Sequence, residues 1–160
     1  LSHQVSVLGG TLDLNYVASY MEEKSYSVGG TSQYVDCVGK ANVPIGGEAC
    51  SRPVMQLKSR ATAGWSRDWF SAQLTWRHLS DVEDGDDETE YYREYIGAYD
   101  YFELSMSAEV GDHVEVMLGA KNLFDKEPPQ WGWNAWEANT FPNVYDVFGR
   151  TIYARLKYTY

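Results

Sequence analysis

Apolar residues recur at every second position in six stretches of the chain, at about 12–21, 55–65, 70–77, 101–110, 114–121 and 151–160. Period two sends alternate side chains to opposite faces of a strand, so each stretch predicts a β-strand with one apolar face. That face collects Leu12, Leu14, Tyr16, Ala18 and Tyr20, then Met55, Leu57, Ala61, Ala63 and Trp65, then Phe70, Ala72, Leu74 and Trp76. It continues through Phe102, Leu104, Met106, Ala108 and Val110, through Val114, Val116, Leu118 and Ala120, and through Ile152, Ala154, Leu156, Tyr158 and Tyr160. The charged residues of the same stretches are Asp13, Lys58, Arg60, Arg77, Glu103, Glu109, Glu115, Lys121, Arg155 and Lys157, and all of them fall on the other face. A slip of one residue would exchange the faces, so the separation of charge from apolar positions argues for amphipathic strands in this phase.

Short and long connections alternate between the strands. Arg67-Asp68 and Gly111-Asp112-His113 read as tight turns, whereas the stretches around 22–54, 78–100 and 122–150 each exceed twenty residues. Loops of that length are uncommon inside compact soluble domains. Outer-membrane barrels use this arrangement, with short turns on one side of the bilayer and long loops on the other. Tyr20, Trp65, Trp76 and Tyr158 near strand ends suit the aromatic girdles of such a barrel. No stretch approaches the roughly 18 apolar residues of a spanning helix, which excludes helical spans and leaves barrels untouched. A soluble β-sandwich also has alternating strands. The charge-free apolar face and the repeated loop asymmetry favour the barrel.

Composition agrees with aromatic-rich strands, since Tyr (13) and Trp (6) are plentiful while Pro (5) is scarce. The net charge of −10 argues against nucleic acid as a partner, because phosphate binding needs a positive surface. Much of the acid is local: Asp81, Glu83, Asp84, Asp86, Asp87, Glu88, Glu90 and Glu94 lie close together, as in a solvated loop. The first residues lack the basic start, apolar centre and small-residue cleavage site of a signal peptide, so the expectation is a processed chain or a piece of a longer one.

Asn122-Leu123-Phe124-Asp125, then Tyr145, then Phe148-Gly149-Arg150, an alternating strand and a terminal Tyr160 follow one another in the last third. In order and spacing they resemble the end of TonB-dependent outer-membrane receptors, in which Asn-Leu-Phe-Asp closes the penultimate strand and Gly-Arg opens the last. Asp36-Cys37-Val38-Gly39, Cys50 and Trp76-Arg77 look like a recurrent proteobacterial version of these receptors. The resemblance implies an all-β, transmembrane antiparallel barrel, usually of twenty-two strands, of which residues 1–160 would supply about the last six. It also implies a plug domain and an amino-terminal TonB box, neither of which this chain contains. Six strands leave two open edges and cannot close a barrel wide enough for a plug.

The function implied is capture of a scarce nutrient (an iron chelate, cobalamin, an oligosaccharide or a peptide) and its import with TonB-transduced energy across the outer membrane of a Gram-negative bacterium. Its partners would be outer-membrane lipid and lipopolysaccharide, the rest of the barrel with its plug, the TonB complex acting through that plug, and the ligand. A passive porin-like channel, an adhesin barrel and a carbohydrate-binding sandwich are the alternatives.

Cys37 and Cys50 lie in the first long loop, and in an exported protein two cysteines so spaced favour a disulfide over a metal site. The acidic loop lacks EF-hand spacing, so bound calcium is not favoured and no cofactor is expected. Tyr91, Tyr92 and Tyr95 beside it can stack on a ligand or anchor the loop. Trp131, Trp133 and Trp136 crowd into the last long loop, where they can form a platform for a sugar or another amphipathic ligand, or pack against neighbouring loops. His3, His78 and His113 are scattered, and no nucleophile elbow, phosphate loop or metal spacing accompanies them, so the chain does not read as an enzyme.

Overall fold

The structure, a computed structural model, describes residues 1–27, 34–43, 50–86, 88, 90, 93–131 and 139–160. In chain order its strands are β1 (Ser2–Val7), β2 (Gly10–Tyr20), β3 (Ser25–Ser27), β4 (Tyr34–Asp36), β5 (Lys40–Ala41) and β6 (Leu57–Arg67). They continue with β7 (Phe70–Leu79), β8 (Val82–Asp84), β9 (Tyr95–Ile96), β10 (Tyr99–Val110), β11 (Val114–Lys121) and β12 (Thr151–Tyr158). The long strands form one antiparallel sheet in the order β1-β2-β6-β7-β10-β11-β12. All six expected strands are present within it.

The sheet has seven strands rather than six, because Ser2–Val7 pairs with β2 as well. Its alternation is short, with only Val5 and Val7 as apolar markers beside His3. Leu8 and Gly9, both at positive φ (54° and 73°), turn the chain into β2 in a two-residue hairpin.

Register joins the apolar positions into a continuous face. Leu14 pairs with Ala63, Ala63 with Leu74, Leu74 with Leu104, Leu104 with Ala120, and Ala120 with Ile152. The next level runs from Val5 and Leu12 through Trp65, Ala72, Met106 and Leu118 to Ala154. Leu14, Tyr16, Leu74, Met106, Leu118 and Leu156 are exposed on it, Leu156 at 72%. Charge returns on this side only at the strand tips, as Arg67 beside the short turns and Asp100 beside the long loops. Asp100 accepts from the Trp76 indole (Nε1–Oδ1 2.8 Å) and pairs with His78 (2.8 Å), so that indole presents its apolar body to the belt and its N–H to the polar rim. At the other rim Trp65 donates from Nε1 to the Val7 carbonyl (3.1 Å).

All three tight turns lie at one end of the sheet. Residues 21–56, 80–98 and 122–150 connect strands at the other end, where the buried core sits. That core draws Ala41 and Met55 from the first long loop, Val82 and Ile96 from the second, and Trp131, Phe141 and Tyr145 from the third. The loops meet around Leu79 and Tyr101 of the sheet. Strands β5, β8 and β9 make a small sheet that ties the first loop to the second. Asn42 adds a bond to Asp84 (3.0 Å), and a side chain at Gly85 would run into Val43.

Candidate functional site

The polar face is defined by the positions that alternate with the apolar belt, and at the loop end it carries the densest set of charged and aromatic groups. Lys58 and Arg60 come from β6, Arg77 from β7, Tyr99, Tyr101 and Glu103 from β10, and Lys121 from β11. The last long loop packs onto this face. Asp146 forms an ion pair with Arg77, its backbone N–H donates to the Tyr101 hydroxyl (3.2 Å), and the Arg77 guanidinium lies 4.6 Å from the Tyr101 ring centre. Tyr145 beside it is buried and meets Tyr99 edge-on at 5.3 Å. Burial pushes its phenol well above the usual tyrosine range, so it stays neutral.

The segment from Pro142 to Phe148 divides this end into two recesses that share Arg77. One, about 500 Å³, has Glu103, Lys121 and Asn122 in its wall; the other, about 340 Å³, has Lys58, Arg60, Val17 and Ser19. The first contains paired signs of charge. The second is cationic.

The motifs behind the family resemblance form one clasp beside these recesses. Asn122, at φ 48°, accepts from the Lys126 backbone N–H through Oδ1 (2.9 Å) and donates through Nδ2 to the Lys126 carbonyl (2.8 Å), closing a turn. Phe124 returns to the apolar side and meets Phe102 edge-on at 5.3 Å. Asp125 accepts the backbone N–H of Arg150 (2.6 Å) from Oδ1, joining the end of β11 to the start of β12. Gly149 permits that approach, because a Cβ there would lie 2.5 Å from the same oxygen.

Cys37 and Cys50 are bonded, with Cα atoms 5.5 Å apart, and form a satellite core with Val43 and Val54. Nearby, the Asp36 carboxylate accepts from the Lys24 and Val38 backbone N–H groups, each at 3.1 Å, which lowers its pKa below the ordinary 3.8. Tyr95 donates to Asp81 (3.1 Å), and that bond raises its phenol pKa.

Trp131 is 1% exposed and stacks edge-on with Phe141 at 5.7 Å, so it fills the loop core and offers no open ring face to a ligand. Tyr91, Tyr92, Trp133 and Trp136 lie outside the described residues. Among the described residues no group of His, Cys, Asp and Glu side chains could hold a metal ion. The sequence places Lys58, Arg60 and Arg77 on the polar faces of two strands without bringing them together as a cationic row. Only the register makes Arg60 and Arg77 neighbours. Comparison with family models, with curated proteins and with solved structures finds no match to this chain.

Proposed function

We propose that this chain is the carboxy-terminal wall of an outer-membrane β-barrel receptor that captures a scarce nutrient and imports it with TonB-transduced energy. The observation that carries the membrane part of this reading is the exposed, registered apolar face, free of charge between Arg67 and Asp100 and edged by Trp65 and Trp76. A soluble sandwich would cover that face with a second sheet. Lipid covers it in a barrel, where the alternate, polar face would line the lumen.

The transport part rests on the resemblance of the Asn122–Asp125 and Phe148–Arg150 motifs to the end of TonB-dependent receptors, motifs that in this chain join through the clasp of Asn122, Asp125, Gly149 and Arg150. Both outer edges, β1 and β12, would pair with the remainder of the barrel. The long loops would face the exterior, and the last would narrow the mouth by lying on the lumenal wall. In this reading the chain has no chemistry to perform and no cofactor. It would hold a ligand at the mouth while a plug, acted on by the TonB complex, opens the path.

The test is nutrient-limited growth of the source bacterium with the full-length gene deleted, complemented, or complemented in cells lacking TonB. Import that needs both the gene and TonB is expected. Transport independent of TonB would identify a passive channel, and a product found in the soluble fraction would refute the barrel.

A further inference from the structure

Positive charge is concentrated where sheet pairing should avoid it. Register places Arg60 directly opposite Arg77 on the polar face, and Lys58 follows two positions along β6 on the same side. Like charges set opposite one another destabilise a strand pair. With 23 acidic residues to 13 basic ones, the chain had ample means of supplying partners. Asp146 pairs with Arg77, yet Lys58 and Arg60 have no acidic partner among the described residues. Two positive charges are therefore left uncompensated in a recess of about 340 Å³, whose remaining wall includes Val17, Ser19 and the last loop's Asn143 and Val144. A second recess of about 220 Å³, also bordered by Ser19 and Lys58, continues it toward the first loop. The other end of the same face has the reverse sign, Glu109 opposite Glu115, with Lys157 3.8 Å from Glu115. The excess of cations is thus a local feature.

We infer that the recess between β6 and the last loop is an anion-binding subsite, in which Lys58 and Arg60 receive a carboxylate or phosphate group of a soluble ligand. A guanidinium offers a planar fork of donors that matches either group, and the lysine ammonium adds a point charge beside it. Asp146 holds Arg77 against Tyr101, so Arg77 forms the wall and leaves Lys58 and Arg60 to the ligand. This deepens the proposed receptor function, and rests on it for the ligand's route of entry; the subsite itself needs only the sheet and the last loop.

The test uses the full-length protein in detergent micelles, titrated calorimetrically with inorganic phosphate and with succinate at constant ionic strength. Both side chains are exposed, so Lys58→Gln with Arg60→Gln should leave the fold intact, which the thermal unfolding midpoint checks. Saturable binding of at least one probe to the wild type is expected, with affinity at least tenfold lower in the double variant and largely restored by Lys58→Arg, Arg60→Lys. Absence of binding to the folded wild type, or equal binding to the Gln variant, would overturn the subsite; this includes the case in which an acidic side chain from elsewhere in the protein already occupies the cations. Insertion into liposomes, measured on the same preparation, separates the two claims. A protein that inserts but binds neither probe refutes the subsite alone, and one that binds but never inserts refutes the barrel.

Discussion

Placing an arginine at Met106 should be far more damaging than placing one at Ser105, its neighbour on β10. Met106 sits midway along the apolar belt of that strand, four residues from Phe102 and four from Val110, between Ala72 of β7 and Leu118 of β11. At about 3.4 Å per residue it lies roughly 14 Å along the strand from either limit, or about 10 Å in depth once a typical barrel tilt is allowed for. Ser105 pairs with Gln73 and Gly119 on the polar face. A lipid-facing arginine near the midplane costs about 2–4 kcal/mol, whereas water in a lumen can hydrate one at little cost. Met106→Arg should therefore raise the unfolding equilibrium constant of the full-length protein by roughly 30- to 1000-fold, and Ser105→Arg by less than about fivefold. Reversible denaturant unfolding in lipid vesicles, followed by tryptophan fluorescence, measures both. Equal losses, or a greater loss at Ser105, would refute the assignment of the faces.

Gly149→Ala should force Asp125 away from the Arg150 N–H and cost about 1.5–3 kcal/mol, the usual worth of a bond to a charged group, visible as a lower unfolding midpoint in micelles. Replacing Cys37 and Cys50 by Ser should remove roughly 3 kcal/mol of local stability from the first loop, so that amide exchange accelerates at Val43 and Val54 while β10 and β11 keep their protection. Trp131→Ala should cost about 3–5 kcal/mol within the loop core and loosen the last loop, read by proteolysis between β11 and β12, with sheet assembly unchanged. Because the folded Asp36 pKa lies below 3.8, its contribution is fully present above that value and is lost as pH falls through the lowered one; the Lys24 and Val38 amide resonances should shift only in that acid window.

The long strands were legible because a sheet with one apolar and one polar face writes its period directly into the chain; the apolar residues set the phase, and the ten charges, all on the opposite side, agree with it. β1 was missed because alternation over Ser2–Val7 is too brief to stand out beside the Leu8-Gly9-Gly10 turn that follows. The short strands of the loop sheet were beyond reach for a different reason. Lys40–Ala41 is two residues long and pairs in parallel with Glu83 and Asp84, so its partner lies more than forty positions away. Trp131 shows the same limit at the level of a single residue. Its exposure is decided by Phe141 and by the packing of all three loops, which composition within six residues does not encode. Cys37 and Cys50 were readable because they were the only two cysteines, close in sequence, and Asp125 and Gly149 were readable as motif letters. Their physical connection, a carboxylate reaching a backbone N–H that a Cβ would block, required coordinates.

The central claim is that the apolar face of this sheet meets lipid, and nitroxide scanning of β10 from Phe102 to Val110 in liposomes tests it most directly. Single spin labels would be placed at each position of the full-length protein, and their collision rates with oxygen and with a polar nickel chelate compared. Oxygen should dominate at 102, 104, 106, 108 and 110, and the nickel chelate should gain at 103, 105, 107 and 109, giving a period of two that follows the register. Uniform accessibility along the strand, or oxygen dominance at the odd positions, would contradict the account.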